Sequence, residues 1–273
     1  AGVNRYRAAS NLGHISGLSA TMIPAVEQAT GLAFRAIDAT RLAPTYSIHA
    51  RFSASYITGA HAVKVGVNHT NGWNKFTSES LYPISYRLLN AVPNQLSERA
   101  FPIATETDME HSLGLYAQDQ WSIHHLTAAY GLRYSYVSVG WPEQSLGAAP
   151  LTPTRNLTFP AKRGFLTWHD LTPNLGAVYD VFGNGKTAVK VSLNKYLENA
   201  SAGGPIFTDP NPINTLVTST TRSWTDGNRD YVPQCDLLSP IANGECGAMA
   251  NANFGQPVPG NTLTISRYAV KPS

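Results

Sequence analysis

The chain has 273 residues, enough for one domain or two, with 20 basic and 17 acidic side chains and a formal net charge of +3. Only 14% of the residues are charged and they form no runs, which excludes a nucleic-acid-binding stripe and an acidic tail. No apolar stretch reaches the roughly 18 to 20 residues of a transmembrane helix, but a barrel strand needs only about 9 to 11 alternating residues and escapes that test.

The opening "AGVNRYRAASNLGH" has arginines but no apolar segment of a signal peptide after them, and the chain starts without Met and stops in mid-pattern at "TLTISRYAVKPS". It therefore reads as part of a longer protein. The segment "PAVEQATGLAFRAIDATRLAP" fits a short helix or an ordered loop. From Tyr46 the pattern sharpens: Tyr46, Ile48, Ala50, Phe52, Ala54 and Tyr56 alternate with polar residues, and after "ITGAH" Val63, Val65 and Val67 do the same. Strands are predicted over 46–57 and 61–68.

A second hairpin is predicted over 109–122 and 126–137, turning at His124-His125. Adjacent strand residues point to opposite faces, so this histidine pair makes a poor metal site without a third partner. The third hairpin is predicted over 172–182 and 186–196. Its turn, Gly183-Asn-Gly-Lys-Thr187, imitates the end of a phosphate-binding G-x-x-x-x-G-K-[ST] loop, but Asp180 stands where the leading glycine belongs and a strand follows where a helix is required. Asn184-Gly185 instead predicts a type I′ hairpin turn.

The turns inside hairpins are short and the connections between them, 69–108, 138–167 and 197–262, are long. Up-and-down order then places every short turn at one end and every long loop at the other, as in bacterial outer-membrane barrels. In such a barrel the polar face, with Gln118, Gln120, Arg133, Lys190 and Asn194, lines the lumen, while the apolar face meets lipid and Trp121 and Trp168 fit an interfacial girdle. The competing architecture is a soluble or surface β-sandwich that binds carbohydrate or protein, with the apolar face turned inward.

Cys235 and Cys246 are the two cysteines. With no CxxC and no nearby histidine the pair suits zinc poorly and reads as a loop disulfide of an oxidising compartment, two unpaired thiols being the alternative.

The stretches "LGLYAQDQWSIHHLTAAYGLRYSYV", "WHDLTPNLGAVYDVFGNGKTAVKVSLNKYLEN" and "DGNRDYVPQCDLLSPIANGECGAMANANFG" resemble, in order, the β-barrel region of TonB-dependent outer-membrane receptors. The nearest type is the large Oar-like one, which carries an N-terminal carboxypeptidase-regulatory-like module. The resemblance implies a barrel of about twenty-two strands closed by a plug. It also implies residence in bacterial outer-membrane lipid and TonB-driven import of a scarce siderophore, glycan or peptide. No plug, TonB box or terminal-aromatic strand is found here. Six predicted strands cannot close a lumen, and their free edges would expose unpaired backbone, so the segment alone is not expected to insert as a monomeric pore.

Arg133 and Lys190 are the candidate solute-tuning charges, with an ion-pair network to acids such as Asp180 as the structural alternative. Asp226, Asn228 and Asp230 have the i, i+2, i+4 spacing of a calcium loop, but Tyr231 replaces the required glycine and Leu237 the final glutamate, so an Asx-rich turn competes. No other cofactor is expected. An enzyme is disfavoured: G-x-S-x-G and HExxH are absent, and strand alternation separates Ser192 from Lys195 in the one S-x-x-K match.

Overall fold

The computed structural model describes residues 2–8, 11–12, 22–197 and 211–258. In chain order its strands are β1 (Gly2–Ala8), β2 (Asn11–Leu12), β3 (Ala25–Glu27), β4 (Ala33–Phe34), β5 (Thr40–Leu42), β6 (Thr45–Thr58), β7 (His61–Glu79) and β8 (Ile84–Leu89). They continue with β9 (Val92–Arg99), β10 (Ile103–Ile123), β11 (Leu126–Trp141), β12 (Gln144–Leu146), β13 (Leu157–Phe159), β14 (Lys162–Asp180), β15 (Ala188–Asn194) and β16 (Ser219–Ser223). A 3-10 turn at Pro212–Thr215 is the only helical element among the described residues. The fold is all-β, and residues 24–44 hold three short strands rather than a helix.

The order β1-β6-β7-β10-β11-β14-β15 forms an antiparallel wall that does not close on itself among the described residues. All six predicted strands lie in it, joined by β1, which pairs with β6 from Gly2↔Arg51 to Ala8↔Thr45. The strands outrun their predicted limits: β7 has 19 residues, β10 has 21 and β14 has 19. At about 3.3 Å per residue they span about 60 to 70 Å, twice the thickness of a hydrocarbon layer. Alternation marks only the stretch with one apolar face. Beyond it, "HTNGWNKFTSE" and "IATETDME" are mostly polar and carry no clear period-two signal.

The segments expected as long loops fold into a cap. Residues 80–102 contain the β8–β9 hairpin, β3 joins β8 in parallel, and β16 joins β9, giving the five-stranded sheet β16-β9-β8-β3-β4. Between β11 and β14, the pair β12–β13 forms a second small hairpin. The tightest core of the molecule lies here: Ile84, Tyr86, Leu96, Trp224, Cys246 and Phe254 pack together, with Leu96 and Trp224 0% and 1% exposed. Ile103, Leu146, Ile213 and Leu216 form a second cluster where the cap meets the wall. The last part of the expected 197–262 loop, 259–262, and residues 198–210 lie outside the described residues.

Two local expectations are corrected. Asn184 does not take the positive φ of a type I′ turn; Gly183 and Gly185 do, at 68° and 70°, in a wider turn closed by Val181 N–H on Thr187 O at 3.0 Å. Asp180 organises it by accepting from Phe182 N at 3.3 Å and Gly185 N at 2.8 Å, which a two-residue turn would not allow. Trp168 is not an outer-face girdle residue: it pairs with Val137 on the face opposite Tyr136 and His169, and packs beside Val139 and Leu166.

Two interactions fasten the cap. Cys235 and Cys246 form a disulfide that closes an 11-residue separation. Glu98 and Arg222, both fully buried, meet with Arg222 Nε 3.5 Å from Glu98 Oε1. Arg222 also donates to Asp236 O at 3.2 Å and Ser239 O at 2.5 Å, tying β16 to the disulfide loop. Burial pushes the Glu98 carboxyl up from its ordinary value near 4.5 to about 7, against the opposing pull of Arg222. Folding therefore takes up a proton between about 4.5 and 7, and cap stability falls as the pH rises through that window and levels off above it. Amide exchange in β9 and β16, corrected for intrinsic rates, should show protection declining from pH 5 to 7.5, and Glu98→Gln should flatten the profile. Replacing both cysteines by serine should lower cap stability by about 2 to 3 kcal/mol, seen as faster exchange in the same strands and not in β10 or β11.

Candidate functional site

Register fixes the two faces of the wall. On one, Phe52, Val67, Leu115, Tyr134 and Leu171 form a single cross-strand row, with Ala54, Val65, Ala117, Leu132 and Pro173 in the next. Nothing described covers this face: Tyr56 is 66% exposed, Leu132 51% and Val191 67%. The band has polar-aromatic borders. Toward the cap, His69 Nε2 lies 3.1 Å from His111 Nδ1, the Tyr136 ring lies 4.8 Å from that of His169, and Tyr134 OH lies 2.7 Å from His169 Nδ1. Toward the short turns, His61 stacks on Trp121 at 5.9 Å, and Asp119 accepts from Tyr130 OH at 2.7 Å. From His111 to Trp121 is about ten residues, or about 33 Å of strand; at a barrel tilt near 40° this covers about 25 Å of height.

The opposite face is polar. Its rows are Arg51–Asn68–Gly114–Ser135–Asp170, Ser53–Gly66–Tyr116–Arg133–Thr172, and Ser55–Lys64–Gln118–Gly131–Asn174–Asn194. Glycines make room for their neighbours. The Arg133 guanidinium lies over Gly114 and the Tyr116 ring over Gly66, in space that a Cβ would fill. Arg133 Nε donates to Ser135 Oγ at 3.1 Å and Arg51 Nε to Asn68 Oδ1 at 2.9 Å. A recess of about 440 Å³ opens here, lined by Arg51, Lys64, Tyr116, Gln118, Arg133 and Asn194 among others.

Arg133 thus sits in the recess, and Lys190 does not. Lys190 pairs with Val178 on the same face of the edge strand β15, three rows nearer the turns, and does not line the recess. Asp180 makes no ion pair with either among the described residues, because its oxygens serve the 181–187 turn. Arg51 and Lys64 were readable as polar-face residues by their parity on β6 and β7. What alternation lacked was the register that brings them beside Arg133.

Asp226, Asn228 and Asp230 are adjacent in a turn crowded with N–H donors. Asp226 Oδ1 accepts from Arg229 N at 2.8 Å and Oδ2 from Tyr231 N at 3.0 Å, while Asp230 accepts from Val232 N at 2.8 Å and from the Gln234 amide at 2.7 Å. The Val232 N–H holds the Asp230 carboxyl below its usual range. At the other end of the wall His125 Nδ1 lies 3.1 Å from Asp180 O and the ring rests over Gly183. No group of three His, Cys, Asp or Glu residues positioned for a metal occurs among the described residues.

The family model described as TonB dependent receptor-like, beta-barrel matches residues 5–234. No curated protein and no solved structure matches the chain. The match takes in the wall from Arg5 onward and every strand of the cap, the same stretch whose long antiparallel hairpins, uncovered apolar band and polar opposite face have the geometry of an outer-membrane barrel. The chain belongs to the TonB-dependent receptor-like β-barrel family, whose members are receptors and transporters of the bacterial outer membrane.

Proposed function

We propose that this chain forms part of the barrel of an outer-membrane receptor that imports a scarce solute with energy from the TonB complex, and that strands outside this chain complete the barrel. The observation that carries the reading is the apolar band about 25 Å high, bordered by His, Tyr and Trp and left bare on one face of the wall. In a sandwich that face would be the core. Here the second sheet packs elsewhere, at the end of the wall beyond the band, and none of the three core clusters contains a band residue.

On this reading the apolar face meets lipid, the face with Arg133 lines the lumen, the cap stands outside the cell and the short turns face the periplasm. The solute is a siderophore, glycan or peptide, the classes that the family resemblance implies. No catalytic role is assigned. The Asp226–Asp230 turn is read as a backbone cap rather than a calcium loop, since its carboxylates are already occupied by N–H donors.

Expressed from its native gene, the protein should fractionate with the outer membrane and show a heat-modifiable gel shift; recovery in the aqueous phase would sink the membrane reading. Leu115→Arg and Leu132→Arg at mid-band should each destabilise the inserted state by about 2 to 4 kcal/mol, whereas Gln118→Arg on the other face should cost far less, measured by urea titration in lipid vesicles. Millimolar calcium should give no binding heat by calorimetry. A heat abolished by Asp226→Asn would instead establish the calcium loop.

A further inference from the structure

We propose that Asn184 is a self-modification site: the 181–187 turn converts its side-chain amide to an acid, with Asp180 as the base and water as the only other reactant. The reaction needs no partner and is the same whichever compartment the turn faces.

An asparagine followed by glycine can lose its amide, because the next backbone nitrogen reaches the asparagine Cγ and no Cβ stands in the way. The chain has three such pairs, Asn71-Gly72, Asn184-Gly185 and Asn243-Gly244. The fold separates them. Asn71 and Gly72 lie inside β7, paired with Ile48 and Ser47, and Gly72 is crowded by Tyr46 O. Asn243 is clamped: its Oδ1 accepts from Asp236 N at 2.6 Å, and its Nδ2 donates to Asp236 O at 3.2 Å and Ile241 O at 3.0 Å. Asn184 is exposed, its amide nitrogen makes no hydrogen bond among the described residues, and nothing lies within 4 Å of where a Gly185 Cβ would stand.

Two neighbours fit the chemistry. Asp180 Oδ2 accepts the Gly185 N–H at 2.8 Å, so a carboxylate that is ionised at neutral pH already holds the proton that the attacking nitrogen must lose. Lys186 N–H donates to Asn184 Oδ1 at 3.0 Å, polarising the carbonyl under attack and stabilising the oxyanion that forms there. The Gly185 nitrogen bonds to Asn184 Cγ as its proton passes to Asp180. The Cγ–Nδ2 bond then breaks, Asp180 returns the proton to the leaving nitrogen, and ammonia departs from a five-membered imide. Water opens the imide at Cγ to give aspartate, or at the Asn184 backbone carbonyl to give isoaspartate, whose main chain is one carbon longer. One water enters and one ammonia leaves. Either product adds a carboxylate to the turn that Asp180 organises, and like charge there weakens the closure of Val181 N–H on Thr187 O.

The test uses the full-length receptor, purified and incubated for days at neutral pH, then digested in acid and analysed by mass spectrometry with fragmentation to locate each new acid. Asn184 should convert about tenfold faster than Asn71 or Asn243 and yield both aspartate and isoaspartate. Unfolding in guanidinium should slow Asn184, which loses Asp180 and the Lys186 N–H, and speed the other two, which lose their restraint. From about pH 5.5 to 7.5 the rate at Asn184 should be nearly flat, because its base is Asp180, whereas attack driven by hydroxide rises about tenfold per unit. Asp180→Asn keeps an oxygen for the Gly185 N–H but cannot take its proton; it should slow Asn184 about tenfold and make the pH profile steep. The comparison of three sites, the unfolding control and the wild-type pH profile require no variant to fold. Equal or slower conversion at Asn184, acceleration there on unfolding, a steep wild-type pH profile, or an undiminished rate in Asp180→Asn would overturn the proposal.

Discussion

In hydrocarbon a backbone N–H or C=O without a partner costs several kcal/mol, and a strand satisfies half of its groups on each side. The wall meets this requirement by continuous antiparallel pairing: β10 is matched to β7 from Ile103↔Ser78 to Trp121↔His61, and to β11 from Asp108↔Gly140 to Ile123↔Leu126. The alternation of faces follows from that ladder. Slipping one strand by a single residue would send Leu115 and Leu132 to the polar side and Arg133 to the apolar side, so the same register that satisfies the backbone also sorts the side chains. Among the described residues of the wall, β1, β15 and the part of β14 before Asn174 keep an open edge.

Legibility in the sequence tracks this division. Where one face is apolar, as at Tyr46–Tyr56, Leu113–Trp121 and Leu126–Tyr136, period-two patterning gave the strands and their faces. It failed at "IATETDME", because the residues buried there, Ile103, Thr107 and Met109, include a polar one and pack against the cap, so no apolar alternation marks the buried face. It failed also at the β8–β9 hairpin, where Ser85, Ser97 and Glu98 are buried along with Ile84, Tyr86 and Leu96 and no apolar alternation results, and at β16, whose partner is distant: Thr220 pairs with Glu98 across more than a hundred residues, and no local pattern reveals such a pairing. The Asn-Gly signal located the third hairpin correctly but not its geometry, since the Asp180 carboxylate, outside the dipeptide, recruits the N–H groups of a wider turn.

The candidate site divides in the same manner. Arg133 was identified by parity on its own strand, whereas Arg51 and Lys64 became its companions only through the register of β6, β7, β10 and β11. The mutual fit of Gly114 with Arg133 and of Gly66 with Tyr116 is likewise a cross-strand property. Trp168 illustrates the opposite lesson. Its position near a predicted strand end suggested the membrane border, but β14 runs on to Lys162, which places Trp168 inside a strand and on the other face.

The pairing of β16 with β9 also sets an order of assembly. The three wall hairpins close over a few residues each, whereas joining Ser219 to Arg99 closes a loop of more than a hundred and carries a larger entropic cost. The hairpins can therefore form before β9 gains its second partner, and until Arg222 arrives Glu98 remains hydrated and β9 has a bare edge. The late strand brings the cation for Glu98 and, through Asp236 and Ser239, the disulfide loop in one step. Completion of the cap is thus the last closure that the topology requires, since without β16 the chain would keep both an unpaired β9 edge and a hydrated Glu98 carboxylate.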